Sequence, residues 1–102
     1  MTSEFRNNLR QFFGAYFHQD WTLDAMDPDD IVRLFINDGF CVNELMNLAN
    51  HIEMYAAAMT DDTVTEENLL IELGCYYLPS ADCLGARAWL YHVANLLRSA
   101  DQ

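Results

Sequence analysis

The chain reads as all-α: a compact, irregular bundle of about five helices in a single domain, residues 1–102, with no sheet. Three observations predict it. Apolar residues recur at helical spacing in each long segment, no segment between turn signals alternates apolar with polar residues as a half-buried strand does, and helix start and stop residues punctuate the chain throughout. Apolar residues make up 52% of the sequence and are interspersed with charges. At 102 residues the chain is long enough to bury roughly 60 to 65% of its unfolded surface, and the interspersed charges leave no run of about 18 apolar residues that could span a bilayer.

The first helix is the most distinctive. Phe5, Leu9, Phe12, Phe13, Tyr16 and Phe17 fall at i, i+4, i+7, i+8, i+11 and i+12, one broad apolar face. It runs into Tyr16-Phe17-His18-Gln19-Asp20-Trp21, read as a structural corner: His18 opposite the stripe near the helix C-terminus, the Asp20 carboxylate ordering the turn, and Trp21 buried. A short polar link, Thr22 to Asp27, precedes a helix start at Asp27-Pro28-Asp29-Asp30. Asp27 is the expected N-cap, Pro28 the first helical residue, and Asp29 and Asp30 complement the positive end of the dipole. Ile31, Val32, Leu34, Phe35 and Ile36 give the second helix its buried side, and Gly39 stops it.

The third helix, about Asn43 to Met59, is expected to be central. Val42, Leu45, Met46, Ala49, Ile52, Ala56 and Met59 share a face widened by Leu48 and Tyr55, and His51 and Glu53 are expected in solvent. Thr63 and Glu66 have capping-box spacing for a short fourth helix carrying Leu69, Leu70, Ile71 and Leu73 to Gly74. After Cys75-Tyr76-Tyr77-Leu78-Pro79, Ser80 is the expected N-cap of a last helix. Leu84, Trp89, Leu90, Val93, Leu96 and Leu97 should face inward and Arg87, Tyr91, Asn95 and Arg98 outward. Gly85 near its start costs about 1 kcal/mol in helix propensity unless something approaches closely there.

Sixteen acidic residues against five arginines and no lysine give a formal charge of −11. A field of that sign repels nucleic acid and anionic membrane and draws cationic partners. The charge exceeds the magnitude of about 2 to 8 that solubility asks of a small domain, which favours a partner. Asp24, Asp29, Asp30, Asp61, Asp62, Glu66 and Glu67 are the carboxylates judged surplus to capping, and so the expected binding residues. Cys41, Cys75 and Cys83 form no CxxC pair, sit among apolar neighbours and are expected to be buried, reduced thiols. With His18, His51 and His92 scattered, no metal site, cofactor site or catalytic set is expected. The opening residues show no basic, then apolar, secretory pattern, which points to the cytoplasm.

Two anchors, Phe12-Phe13-Gly14-Ala15-Tyr16-Phe17-His18-Gln19-Asp20-Trp21 and Gly74-Cys75-Tyr76-Tyr77-Leu78-Pro79 followed by Trp89-Leu90, are similar to those of the small helical immunity proteins (CdiI type) of bacterial contact-dependent growth inhibition systems. The resemblance spans nearly the whole chain. It implies a cytoplasmic protein without enzymatic activity, monomeric or in a heterodimer, that binds a cognate toxin domain and blocks its active site. Such toxins are often nucleases, which present positive charge to phosphates. In this reading Tyr16, Phe17, His18, Asp20 and Trp21 are a fold signature, and Tyr76, Tyr77 and Tyr91 are candidates for an aromatic centre of the interface. Two other classes stand beside it: a generic acidic adaptor or nucleic-acid mimic, and a small enzyme using His18 with Asp20, or His92 with a carboxylate from another helix.

Far-UV circular dichroism is expected to show a helical spectrum; one dominated by β structure would overturn both fold and resemblance. A fully buried Trp21 would make Trp21→Ala cost about 3 to 5 kcal/mol in denaturant unfolding.

Overall fold

The computed structural model describes residues 3–99, with side chains from Arg6 onward except that of Asp24. The expected places of Phe5 on the first apolar face and of the Asp24 carboxylate in the first acidic cluster lie outside the described residues. The order is α1 (Ser3–Tyr16), α2 (Trp21–Asp24), α3 (Pro28–Asn37), α4 (Val42–Ala58), α5 (Asp62–Ile71), a 3-10 turn (Pro79–Asp82) and α6 (Ala86–Ser99). No strand occurs among the described residues. The five expected helices are present as α1, α3, α4, α5 and α6; α2 is a single turn inside what was expected to be a polar link.

Helix α4 packs along α6, and α6 also meets α3, α5 and the 3-10 turn, so the centre of the bundle is this pair rather than α4 alone. Leu45, Leu48, Ala49, Ile52, Tyr55 and Ala56 form the buried side of α4, facing Ala86, Trp89, Leu90, Val93, Ala94 and Leu97 of α6 across one continuous core. Alanines at 49, 56, 86 and 94 hold that space with little side-chain bulk. Arginines brace both ends of the seam. Arg87 Nε donates to the Ala56 carbonyl at 3.1 Å, a second bond to a last-turn acceptor of α4 that also takes the Met59 N–H at 3.3 Å. Arg98 pairs with Glu53 at 2.6 Å and donates to Asn50 Oδ1 at 2.7 Å. This corrects the expected outer stripe: Arg87 and Arg98 are half-buried clamps, and Glu53, held below its usual pKa by the Arg98 hydrogen bond, is no solvated bystander. Nor is His51, whose Nδ1 lies 2.8 Å from Asn8 Nδ2.

The α3 start follows the expected chemistry. Asp27 is extended at φ −145° and its side chain accepts the Asp30 N–H at 2.9 Å, with Pro28 first in the helix, while Gly39 at φ +93° turns the chain out. The starts of α5 and α6 depart from expectation. Asp61, not Thr63, caps α5, accepting from Thr63 N at 2.7 Å and Val64 N at 3.2 Å. Glu66 reaches away to Ser80, accepting its N–H at 2.9 Å and its hydroxyl at 3.0 Å. Ser80 therefore opens the 3-10 turn rather than capping the last helix. That turn ends on Cys83 at φ +60°, a left-handed conformation unfavourable for a residue with a Cβ. Helix α6 begins only at Ala86, and its cap comes from another helix: Asp62 Oδ1 accepts the Arg87 N–H at 3.1 Å. A Cβ on Gly85 would stand 2.7 Å from Asp62 Oδ2, which is the close approach that accounts for glycine there.

Several apolar residues expected inside are on the surface: Leu34, Val42, Leu70, Ile71 and Leu84. Among the thiols only Cys75 is buried, its Sγ 3.7 Å from the Tyr77 carbonyl; Cys41 and Cys83 are exposed, because Cys41 precedes α4 and Cys83 sits on the turn.

Replacing Gly85 by Ala is expected to displace the Asp62 carboxylate and cost about 1 kcal/mol in urea unfolding, as loss of a cap does. In an Asp62→Ala background the same substitution should cost at least about 0.5 kcal/mol less, and additive effects would show that the two positions do not share one cap. Burial pushes the Cys75 thiol up to about 12. A thiol titration of the folded protein should therefore show two fast groups, Cys41 and Cys83, with Cys75 reacting only on unfolding.

Candidate functional site

The corner after α1 is an aromatic junction rather than a reactive centre. Phe17, fully buried, lies against Trp89 (centroids 5.3 Å), Trp21 (6.1 Å) and Tyr77 (6.3 Å), while Tyr77 in turn meets Trp89 at 4.9 Å and Trp21 at 5.6 Å. The backbone completes the joint: Tyr76 N–H donates to the Phe17 carbonyl at 2.7 Å. Beside it, a Cβ on Gly14 would lie 3.2 Å from the Leu73 carbonyl, so α1 passes against the chain leaving α5 at backbone distance. The two sequence anchors thus meet in space.

Within the corner the expected roles are exchanged. His18 Nδ1 accepts the Asp20 N–H at 3.1 Å, while the Asp20 side chain makes no cap bond to α2. The turn is thus ordered by the imidazole through its Nδ1 rather than by the carboxylate. Trp21 is half-buried, which lowers the expected cost of Trp21→Ala to about 2 to 3 kcal/mol. Tyr16 turns to α3, donating to Asp38; burial first and that bond second push its hydroxyl up to about 12.

The acidic residues separate by what holds them. Asp30 pairs with Arg33 at 2.7 Å and Asp29 with His92 at 2.9 Å. Asp61, Asp62 and Glu66 are caps and braces, so the premise that they are surplus to capping does not hold for these three, whereas Glu67 is simply exposed. A capping carboxylate nevertheless keeps its charge.

The structure assembles a surface that sequence spacing alone did not group. Two adjoining clefts share Asp27, Pro28, Tyr77 and Asp82 as a common wall. One opens toward Trp21, Met26, Tyr76 and Leu78, and the other toward Asp29, Leu84 and His92 with Trp89 as floor. Tyr77 O–H donates to Asp82 Oδ2 at 2.6 Å, and burial followed by that bond raises its pKa, so the hydroxyl stays a donor and fixes the shared wall. Of the three tyrosine candidates, Tyr77 is buried and Tyr91 half-buried, while Tyr76 is the exposed one. Asp82, Met26 and Leu84 were missed as site residues because two connections distant in sequence, α2–α3 and α5–α6, bring them together; the run Pro79-Ser80-Ala81-Asp82 reads locally as helix start, which was the one available signal.

His92 does meet a carboxylate from another helix, with Nε2 at 2.9 and 3.1 Å from the two Asp29 oxygens. The pair ties α6 to the first turn of α3. The hydroxyl among the residues that line this cleft, that of Tyr77, is engaged with Asp82 as a donor rather than with the imidazole. Among the described residues no three His, Cys, Asp or Glu side chains come together as a metal site would require, and no helix is long and apolar enough to cross a membrane.

No curated protein and no solved structure gives a significant match to the chain. A family model described as CdiI immunity protein matches residues 6–97, which takes in all or most of each described helix and both aromatic anchors. Proteins of this family inhibit toxins and are in general without enzymatic activity. With that match over most of its length, the chain belongs to the CdiI immunity protein family.

Proposed function

We propose that this protein binds the toxin domain of a contact-dependent inhibition system, that the toxin is a basic, nuclease-type domain, and that the complex blocks its active site. The protein acts stoichiometrically, in the cytoplasm, as a monomer that forms a heterodimer with the toxin. The observation that supports this most is the disposition of charge. The formal charge is −11, and four of the five arginines are engaged by partners within the molecule: Arg10 on the Glu72 carbonyl, Arg33 on Asp30, Arg87 on the Ala56 carbonyl and Arg98 on Glu53. Arg10 and Arg33 stay exposed, but sixteen acidic residues outweigh them, and the net field attracts the same kind of protein surface that attracts phosphate.

The binding carboxylates in this proposal are Asp24, Asp29, Asp30, Asp61, Asp62, Glu66 and Glu67. Asp29 and Asp30 have cationic neighbours in His92 and Arg33. Among the described residues the α5 group, Asp61, Asp62, Glu66 and Glu67, pairs with no arginine or histidine, so it contributes the larger share of the steering field.

Steering acts on the association rate. Asn at 61 and 62 and Gln at 66 and 67 keep the acceptor oxygens of the caps and remove four charges. This variant is expected to associate several-fold more slowly with the cognate C-terminal toxin domain at 0.1 M salt. The difference should nearly vanish at 1 M, where the Debye length falls from about 10 to about 3 Å. Stopped-flow mixing reads both. Equal rates at low salt, for this variant and for one neutralised at Asp24, Asp29 and Asp30, would sink electrostatic steering.

A further inference from the structure

We infer that the toxin domain docks on the face formed by the two adjoining clefts around Tyr77, placing apolar side chains between Met26, Tyr76 and Leu84 and flanking arginine or lysine against Asp27, Asp29 and Asp82. This rests on the immunity function proposed above and goes beyond it by naming the surface that holds the partner, as distinct from the carboxylates that attract it. Long-range charge cannot by itself hold a complex, since exposed ion pairs contribute little each, and a tight interface needs a desolvated apolar or aromatic centre.

The face has that centre. Met26 is 96% exposed, Tyr76 49%, Leu84 45% and Leu78 43%, and all four line the same pair of clefts. Grouped exposure of this kind stabilises nothing in the free molecule and marks a surface that a partner covers. The floor is rigid. Tyr77 is locked to Asp82, the Tyr76 backbone is held by Phe17, and Trp89 closes the base, so little conformational entropy remains to be lost on docking.

Charge selects the occupant. Three carboxylates rim the clefts and no arginine lines them; the single titratable base, His92, already faces Asp29. A phosphate backbone or an anionic lipid surface is repelled. A second copy of this chain would bring its own aspartates against these. A cationic protein with apolar side chains on its binding surface fits both features.

The test uses the purified cognate C-terminal toxin domain of the contact-dependent inhibition system and measures its dissociation rate and Kd at 0.15 M salt. Met26→Arg, Leu84→Arg and Tyr76→Ala are each expected to weaken binding about 30-fold or more, the size of a central interface residue, chiefly through faster dissociation. Tyr76→Phe should retain most of the affinity. Ile71→Arg, on an equally exposed apolar residue that lines neither cleft, should change it less than about 3-fold. All substituted side chains are exposed, and thermal melts identify any variant that loses its fold. Wild-type affinity in the three cleft variants, with the wild type itself binding, would overturn this surface while leaving the immunity function standing; no binding by the wild type would overturn both. A free protein that sediments as a dimer and becomes monomeric with Met26→Arg would assign the face to self-association and equally overturn the inference.

Discussion

The contact of Phe17 with Tyr77 and Trp89 is the constraint on which the other arrangements depend. It joins the exit of α1, the extended segment after α5 and the first turns of α6 in one buried place, and those three parts are far apart in sequence. Because Trp89 is fixed there, α6 takes its position along α4; because Tyr77 is fixed there, the 3-10 turn must begin where it does. Phe12 and Phe13 extend the same cluster toward Phe35 and so bring in α3. Aromatic pairs contribute beyond their buried area through edge-to-face geometry, and several contacts here approach that arrangement. The cluster is therefore a scaffold, and Trp21 and Tyr77 carry it into the wall of the proposed docking face.

A second principle of construction is the use of carboxylates across the fold. Local capping explains Asp27 and Asp61, each serving backbone N–H groups within three residues. Asp62 and Glu66 instead leave their own helix to serve α6 and the 3-10 turn, at separations of 25 and 14 residues. An acidic protein thereby uses part of its charge as structure without losing it as field. The arginines with described partners tie elements together at helix ends and seams, Arg10 and Arg87 on carbonyls and Arg98 on Glu53, while Arg33 pairs with Asp30 on the surface of α3; the excess of acids sets the sign of the field.

How much of this was legible in the sequence follows from the range of the interactions. The five long helices were legible because periodicity is local, and the α3 cap was legible because Asp-Pro-Asp-Asp carries its own instructions. Coverage was not. Periodicity says which way Leu34, Leu70 and Ile71 point relative to their neighbours, but not whether a short helix has anything opposite to cover them. Trans-caps were invisible for the same reason: nothing near Arg87 announces that its N–H will meet Asp62. Of the docking face, the acidic run beginning at Asp27 and the tyrosine at 76 were visible singly. Their meeting with Asp82, Met26 and Leu84 is a product of the corner at Trp21 and the turn at Cys83, and both depend on contacts distant in sequence.

The bond from Asp62 to the start of α6 couples parts of the molecule that would otherwise loosen separately. Helix α5 is short and buries little beyond Thr65 and Leu69, so alone it would belong to the least protected part of the bundle. It nevertheless holds both the first turn of α6 and, through Glu66, the 3-10 turn. If α5 frays, the braces on residues 80 and 87 go with it. Tyr77 stays seated against Phe17 and Trp89, so a loosened α5 would free the turn that carries Asp82 while the buried floor of the clefts keeps its place.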